Sequence, residues 1–293
     1  MKLRLFSRNS AKTALSSLIC ILLSSCSFPL TPTYTTETIS QSLEKILGEE
    51  YNISAVTRLT GQALWVYIPT EEAIFIESEN PESYAKIFDP KSIEGNLQGG
   101  VFNFNYDITE IPETKETQNT KFNPAIAELM NKSLRSMRRV LFSLKRDEGA
   151  PKFFVIALCD IKNGIEVITT TYIDDLKKAS YEIISWTEYQ HRGLEDIQLV
   201  PEAIGDKEGN HLAFHDIHFN EFLLGQIQQR LRHKFNRPEV KKGADIDKEV
   251  LKTIRNVLEI YGFDDFMLMS LQNLATSNKT TLSKAAVFEK AKE

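Results

Sequence analysis

The sequence is poor in cysteine, proline and glycine, and no apolar run in it is long enough to span a membrane. Its 293 residues include 3 Cys, 10 Pro and 13 Gly. Three cysteines cannot build a disulfide framework, and no stretch approaches the roughly 20 apolar residues that cross a bilayer. Hydrophobic residues make up 42% and charged residues 26% of the chain. These fractions exclude a collagen, a disordered acidic tail and a coiled coil, and they fit one large globular domain or two small ones.

The sequence also lacks the short motifs of common catalytic and cofactor sites. It contains no G-x-G-x-x-G, no P-loop, no H-E-x-x-H and no EF-hand loop. The G-x-S-x-G motif of hydrolase nucleophiles is missing too. We therefore predict no cofactor, and the sequence does not indicate a reaction.

The first 26 residues have the layout of a secretory signal. Residues 1–12 carry four cations and no acid: Lys2, Arg4, Arg8 and Lys12. Ala14 to Leu23 follow as a short apolar stretch, and this order is typical of a signal peptide. The stretch is too short to span about 30 Å of hydrocarbon. It ends in Leu23-Ser24-Ser25-Cys26, which resembles the lipobox of bacterial lipoproteins.

This resemblance implies that residues 1–25 are removed and that Cys26 is lipidated, with diacylglycerol on its thiol and a further acyl chain, such as palmitate, on its amine. Three acyl chains would anchor the protein firmly, whereas a single chain binds a membrane only marginally. Ser27 stands where Asp retains enterobacterial lipoproteins in the inner membrane, so it resembles an outer-membrane sorting residue. We expect a lipid-anchored protein of the bacterial cell envelope, at the periplasmic face of the outer membrane. The alternative is an ordinary signal peptide with an incidental cysteine.

Cleavage at this point would change the charge and the thiol content of the chain. Loss of four cations would take the net charge from −5 to about −9, and Cys159 would be the one free thiol, so no intramolecular disulfide could form. Residues 26–36 are predicted to be a Pro/Thr-rich tether, residues 37–274 an α+β globular domain, and residues 275–293 a disordered tail. Nucleic acid does not fit as a partner of an exported acidic protein.

Hydrophobic periodicity predicts an α+β fold with helices packed on an antiparallel or mixed sheet. The predicted helices cover residues 37–51, 124–146, 174–191, 220–235 and 246–261. The predicted strands cover residues 53–59, 62–68, 73–77, 100–108, 153–159, 165–172 and 263–271. We predict a loop over the polar residues 111–122. A helix followed by a strand or hairpin recurs three times, which indicates either repeated helix-strand-strand units or the common order of elements in an α+β fold.

Two clusters of basic residues stand out in an acidic chain. The first lies on the helix 124–146 and comprises Lys132, Arg135, Arg139 and Arg146, flanked by Arg138 and Lys145. The second spans residues 230–242, where Glu239 is the single acid among six basic residues: Arg230, Arg232, Lys234, Arg237, Lys241 and Lys242. One interpretation is contact with an anionic partner: lipid headgroups, an acidic glycan or an acidic protein face. The other is a solvated surface whose cations pair with acids elsewhere on the molecule.

Three histidines and one cysteine are the candidates for metal or nucleophile chemistry. On a helix, His211, His215 and His218 would share one face and could bind a metal. The helix that follows is predicted to begin near residue 220, so we expect loop or surface histidines and predict no metal. Cys159 follows Val155 to Leu158 in an apolar strand, which indicates a small buried side chain rather than a nucleophile.

We therefore expect a lipid-anchored envelope protein of structural or binding type, which contacts a partner protein or an anionic surface. The alternative is an envelope enzyme, hydrolase-like, that uses the region from His211 to His218. A third hypothesis is a solute-binding lipoprotein of a transporter, although the sequence lacks the large two-lobed repeat of βα units expected for that class.

Overall fold

The computed structural model describes residues 33–145 and 149–289, which form an α+β fold. The helices are α1 (Ile39–Tyr51), α2 (Pro124–Phe142), α3 (Ile173–Ser180), α4 (Trp186–His191), α5 (Phe219–Asn236), α6 (Ile246–Tyr261) and α7 (Lys284–Phe288). The strands are β1 (Val56–Thr60), β2 (Ala63–Thr70), β3 (Phe75–Gln98), β4 (Val101–Phe122), β5 (Phe153–Asp160), β6 (Ile165–Tyr172), β7 (Leu194–Leu199), β8 (Leu268–Asn273) and β9 (Asn278–Ser283). They build two mixed sheets.

The first sheet has the strand order β1-β2-β5-β6-β7, and its β2–β5 pair is parallel. Alternate residues of its central strands point to one face, where α1 and α2 cover them. These residues are Leu64, Val66, Ile68, Phe154, Ile156 and Leu158. Every residue of β5 is buried, because this central strand is covered on both faces.

The second sheet has the order β3-β4-β8-β9, with β4 and β8 parallel. Strands β3 and β4 form one long hairpin, 24 and 22 residues in length. Near its tip, aromatic residues such as Phe102 and Phe104 pack with Leu223 and Ile227 of α5 and with Ile254 of α6. Helix α6 ends at Tyr261 and is capped by Gly262, whose φ of 60° closes the helix in the left-handed conformation.

Each sheet contains two hairpins joined by a parallel strand pair, and the first sheet adds β7 at its edge. Hairpins β1–β2 and β5–β6 make up most of the first sheet, and hairpins β3–β4 and β8–β9 make up the second. A helix precedes three of these hairpins, in the units α1-β1-β2, α2-β5-β6 and α6-β8-β9. The order helix-strand-strand therefore does recur three times along the chain.

Several predicted boundaries are wrong, and exposure explains most of them. Residues 111–122 are not a loop but the end of β4, paired with β3 in a stretch where both faces meet solvent. Strand β7 lies in a predicted loop, and β9 and α7 lie within the expected tail; the two strands expose most of their residues and so carry little hydrophobic alternation. The predicted helix 174–191 breaks after Ser180, and α4 begins again behind Ser185, which caps it.

The signal segment, Cys26 and Arg146 lie outside the described residues. Within the described part of the chain, no helix combines the length and the apolar character needed to cross a bilayer.

Candidate functional site

A patch of aromatic and arginine side chains lies beside the end of α2. Its exposed hydrophobic side chains are Phe142, Tyr181, Ile183 and Trp186, with exposed fractions of 37%, 65%, 70% and 42%. The Phe142 and Tyr181 rings meet edge-on with centroids 5.6 Å apart, and the Arg138 guanidinium lies 5.1 Å from the centroid of the Trp186 ring. We call six side chains the aromatic–arginine patch: Phe142, Tyr181, Ile183, Trp186, Arg138 and Arg135. The patch thus combines apolar aromatic rings with arginine cations, and such a combination suits the boundary between water and lipid.

A cleft of about 370 Å³ opens within this patch. It is lined by Arg135, Arg138, Arg139, Phe142, Ser180 and Tyr181. The Ser180 hydroxyl is buried and has no hydrogen-bond partner among the described residues. Arg135 is exposed and makes no ion pair within the described ranges. A small anionic group in this cleft would meet guanidinium donors and an unused hydroxyl.

The N-terminal segment joins the fold next to the patch. The Thr33 N–H donates to the Ser143 carbonyl at 2.9 Å, and the Lys145 N–H donates to the Tyr34 carbonyl at 2.9 Å. Arg139 of α2 interacts with the Tyr34 side chain as well. The chain therefore enters the fold at the end of α2 that carries the patch.

The basic residues predicted to contact an anionic partner differ in whether they already form ion pairs within the molecule. Lys132 contacts Glu128 at 2.8 Å and Arg139 contacts Glu50 at 2.5 Å. Lys234 contacts Glu249 at 2.5 Å. Ion pairing inside the molecule thus accounts for these three. Arg230 lies farther, 3.7 Å, from Glu188, and Arg232 makes no ion pair within the described residues.

The second basic cluster borders a groove between α5 and β7, made of two adjoining cavities of about 560 and 790 Å³. Both cavities are lined by Glu195, Gln229, His233 and Arg237. Arg232 lines the first cavity, and the second is lined by the further basic residues His191, Arg230 and Lys234. We call the two cavities together the basic groove. The lining also includes acids, with Glu195 in both cavities, Asp196 in the first and Glu239 in the second; partial burial raises the pKa of Glu195.

The loop of residues 200–218 crosses the face of the first sheet that α1 and α2 leave open. Trp65 and Tyr67 of β2 point to this face, because alternate residues of a strand share a side. Trp65 Nε1 donates to the His215 carbonyl at 2.9 Å, and the Tyr67 hydroxyl donates to the Asp206 carbonyl. Asp216 Oδ1 accepts from the Gln62 N–H at 2.6 Å. Three residues around β2 therefore tie the loop to the sheet.

His211 lies buried under this loop between two carboxylates. Its Nδ1 is 2.6 Å from Asp206 Oδ2, and its Nε2 is 3.1 Å from Glu166 Oε1. The exposed fractions of the three side chains are 4% for His211, 10% for Asp206 and 2% for Glu166. Burial disfavours the imidazolium, but the hydrogen bonds to Asp206 and Glu166 outweigh it and raise the pKa of His211.

A tight turn sets the position of His211. The Asp206 carboxylate accepts the backbone N–H groups of Glu208, Gly209 and His211 at 2.9, 2.9 and 3.0 Å. Gly209 has a φ of 70°, and a Cβ there would lie 2.9 Å from the Tyr67 ring, so the turn requires glycine. Burial acts to raise the pKa of Asp206, but the hydrogen bonds from His211 and these N–H groups lower it to about 2.

Cys159 completes this cluster. It pairs with Glu166 across the β5–β6 hairpin, so both side chains point to the same face. Its Sγ, a Glu166 oxygen and a His211 ring nitrogen all lie within 4.8 Å of one another. Burial, together with the nearby carboxylates, raises the pKa of the Cys159 thiol to about 11 despite a hydrogen bond with Tyr67. We call Cys159, Glu166, Asp206 and His211 the histidine cluster.

The structure does not bring the three candidate histidines together. His211 is in the histidine cluster, whereas His215 Nδ1 contacts the Ala213 carbonyl at 2.9 Å and its ring lies against Trp65. The His218 side chain is 73% exposed at the start of α5. The sequence reasoning missed Glu166. A two-residue turn at Asn163-Gly164 would pair Cys159 with Ile168, whereas the loop has four residues, 161–164, and pairs Cys159 with Glu166. The burial predicted for Cys159 is confirmed, and its raised pKa makes it a poor nucleophile.

A second buried cluster holds a permanent charge. Asp175 Oδ1 accepts from Arg192 at 2.9 Å, and its Oδ2 accepts from the Tyr261 hydroxyl at 3.0 Å. Arg192 also contacts Glu188 at 2.8 Å. We call these four residues the arginine cluster. The sequence alone explains Asp175 only as an acid at the start of a helix. It does not predict the other members of the cluster, which lie on α4, on α6 and in the link between α4 and β7.

Comparisons of the chain with protein-family models, with curated proteins and with solved structures find no match.

Proposed function

We propose that this chain is a lipid-anchored protein of the bacterial cell envelope, of binding type, whose aromatic–arginine patch rests on the anionic surface of the membrane that holds Cys26. The observation that carries the proposal is that the patch and the N-terminal segment meet at the same end of α2. The lipobox-like sequence supports the anchor, and the patch supports the contact.

The length of the tether makes this contact feasible. Six residues lie between Cys26 and Thr33, and a fully extended chain over the seven steps from Cys26 to Thr33 reaches at most about 25 Å. Because Thr33 lies beside Ser143, this limit holds the end of α2 close to the bilayer surface. Exposed arginines attract anionic headgroups over about a Debye length, roughly 8 Å at physiological salt. The tether therefore allows the patch to reach the surface and limits its retreat to about three Debye lengths.

The anchor is tested by Cys26→Ser. We expect this variant to lose palmitate labelling and to stay unprocessed or leave the membrane fraction, because the thiol that accepts the lipid is gone. A Cys20→Ser variant is the matched control and should be lipidated normally. Unchanged palmitate labelling of the Cys26→Ser protein would contradict the anchor.

The patch is tested through its own tryptophan. Trp186 is 42% exposed, whereas the other tryptophan, Trp65, is 3% exposed. Full-length protein is reconstituted into vesicles with brominated acyl chains, either zwitterionic or containing phosphatidylglycerol. We expect bromine quenching of Trp186 in the anionic vesicles only, and we expect about 1 M salt to abolish it because the Debye length falls to about 3 Å.

Charge reversal provides the decisive pair of variants. Arg135→Glu with Arg138→Glu should remove most of the quenching, since two arginines near an anionic surface contribute about 1 kcal/mol each, or roughly 30-fold together. Arg232→Glu with Arg237→Glu makes the same charge change in the basic groove and should leave quenching intact. Equal effects of the two pairs would show a nonspecific response to net charge, and absence of quenching in the wild type would refute the contact.

We propose the basic groove as the binding site for an acidic segment of an envelope partner. It is a concave feature, and Arg232 and Arg237 at its border are exposed without ion pairs among the described residues. A concave groove fits an extended chain better than a flat bilayer does. The probe is a poly-glutamate peptide, and its binding is measured by calorimetry.

The same two variant pairs test the groove, with the roles exchanged. Arg232→Glu with Arg237→Glu should weaken peptide binding at least tenfold, and Arg135→Glu with Arg138→Glu should leave it unchanged. Each pair thus serves as the control for the other surface. Peptide binding that survives in the groove variant would refute this site.

A further inference from the structure

We propose that Cys159, Glu166 and His211 bind a zinc ion between the first sheet and the loop of residues 200–218. Thiolate, carboxylate and imidazole are the ligands that Zn²⁺ takes in proteins. The three ligand atoms already lie within 4.8 Å of one another on buried or nearly buried side chains. This inference depends neither on the lipid anchor nor on the aromatic–arginine patch.

The separation of the ligand atoms suits a tetrahedral ion. Zinc bonds of about 2.0–2.1 Å to nitrogen and oxygen place two such ligands about 3.3 Å apart at the tetrahedral angle. His211 Nε2 and Glu166 Oε1 are 3.1 Å apart. An ion could therefore replace the hydrogen bond between them with little movement of either side chain. Cys159 would be the third ligand, leaving the fourth position to water or to the second Glu166 oxygen.

The ring nitrogen of His211 that would not bind zinc, Nδ1, has a carboxylate partner, as is common for zinc-bound histidines. Asp206 Oδ2 contacts Nδ1 at 2.6 Å and leaves Nε2 facing Glu166. A carboxylate in this position fixes the ring and raises the basicity of the ligating nitrogen. The Tyr67 hydroxyl interacts with Cys159 and covers the site from β2.

A route from solvent leads to His211. An open groove of about 620 Å³ borders the turn, and its lining includes Glu202, Asp206, Glu208 and His211. Carboxylates at this opening would attract a divalent cation. His211 is thus the outermost of the three ligands, and Cys159 the innermost.

The test uses Co²⁺ as a spectroscopic probe on full-length protein purified without a histidine tag. We expect one cobalt per chain, the strong visible bands of a tetrahedral site, and a near-ultraviolet band from thiolate bound to cobalt. A Cys20→Ser/Cys26→Ser protein should keep that band, because Cys159 would then be its one thiol. Addition of one equivalent of zinc should remove the cobalt spectrum.

Variants assign the ligands. Cys159→Ser should remove the thiolate band, and His211→Gln should weaken cobalt binding at least tenfold. Asp206→Asn should weaken it by 10- to 100-fold, whereas the control His215→Ala should leave it unchanged. Circular dichroism verifies that each variant is folded. Wild-type protein without a tetrahedral cobalt spectrum, or a thiolate band that persists in folded Cys159→Ser, would overturn the proposal.

Discussion

The arginine cluster and the histidine cluster both place carboxylates in the interior, and they differ in the cation that balances them. In the arginine cluster, Asp175 is fully buried and Arg192 is 8% exposed. In the histidine cluster, Glu166 and Asp206 flank the imidazole of His211. Arginine keeps its proton at any ordinary pH and offers only donors, whereas a neutral imidazole can also accept a proton or bind a metal.

Because of this difference, the arginine cluster is a permanent structural ion pair, whereas the histidine cluster can exchange a proton for a metal ion. The arginine cluster joins α3, α6 and the residues after α4 through contacts that are all satisfied by the chain itself. The histidine cluster joins two strands to a loop, and its thiol and imidazolium can lose a proton to solvent when a metal ion binds. We therefore expect loss of an arginine-cluster partner to cost more stability than loss of a histidine-cluster partner.

The largest expected effect is that of Asp175→Ala. Removal of Asp175 leaves Arg192 with Glu188, whose side chain is 34% exposed, as its remaining acidic partner, and it takes the acceptor from the Tyr261 hydroxyl. Loss of one partner of a buried ion pair typically costs about 3–5 kcal/mol of unfolding free energy, and we expect the lower end of that range because Glu188 remains. Urea unfolding followed by circular dichroism measures it. Asp174→Ala is the matched control, because its contact with Lys177 is half exposed and should contribute at most about 1 kcal/mol. Similar losses for the two variants would mean that burial of Asp175 does not matter.

A smaller loss is expected for His211→Ala in the presence of a chelator. The change leaves Glu166 and Asp206 without their shared partner, and an unsatisfied buried polar group costs about 1–3 kcal/mol. His215→Ala removes an exposed histidine of the same loop and should cost less than about 1 kcal/mol. If His211→Ala destabilised the protein more than Asp175→Ala does, the histidine cluster would be the main structural tie and the comparison would be reversed.

The parts of the fold that sequence reasoning predicts are those with an apolar face. Helices α1, α5 and α6 and the strands β2 and β5 follow from periodicity, because each packs a defined set of apolar side chains into a core. Strand β7, strand β9 and the outer half of β4 escape prediction. They are held by backbone pairing to a neighbour and expose most of their side chains, so no hydrophobic pattern is required.

The clusters are harder to predict than the fold, since their members are far apart in the chain. Glu166 lies opposite Cys159 in the β5–β6 hairpin, but a two-residue turn at Asn163-Gly164 would place Ile168 there instead, so the sequence predicts the hairpin and not this pairing. Asp206 and His211 reach the cluster through a loop whose path depends on Trp65 and Tyr67. Three histidines in one segment suggest a shared site, yet the turn at Asp206 directs only the first of them inward.

The smallest expected effect is that of Cys159→Ala. With a chelator present, the change removes one buried sulfur atom and should cost about 1 kcal/mol, as small core truncations do. Native Cys20→Ser/Cys26→Ser protein should react slowly with thiol reagents, because its one remaining thiol, Cys159, is fully buried. Zinc at about 100 times its dissociation constant should stabilise the wild type by about 2.7 kcal/mol through binding to the folded state alone. The variant lacks the thiolate ligand and should gain much less, so the difference between the two proteins should widen when zinc replaces the chelator. A difference that stays near 1 kcal/mol under both conditions would leave Cys159 as a core residue and remove it from the metal site.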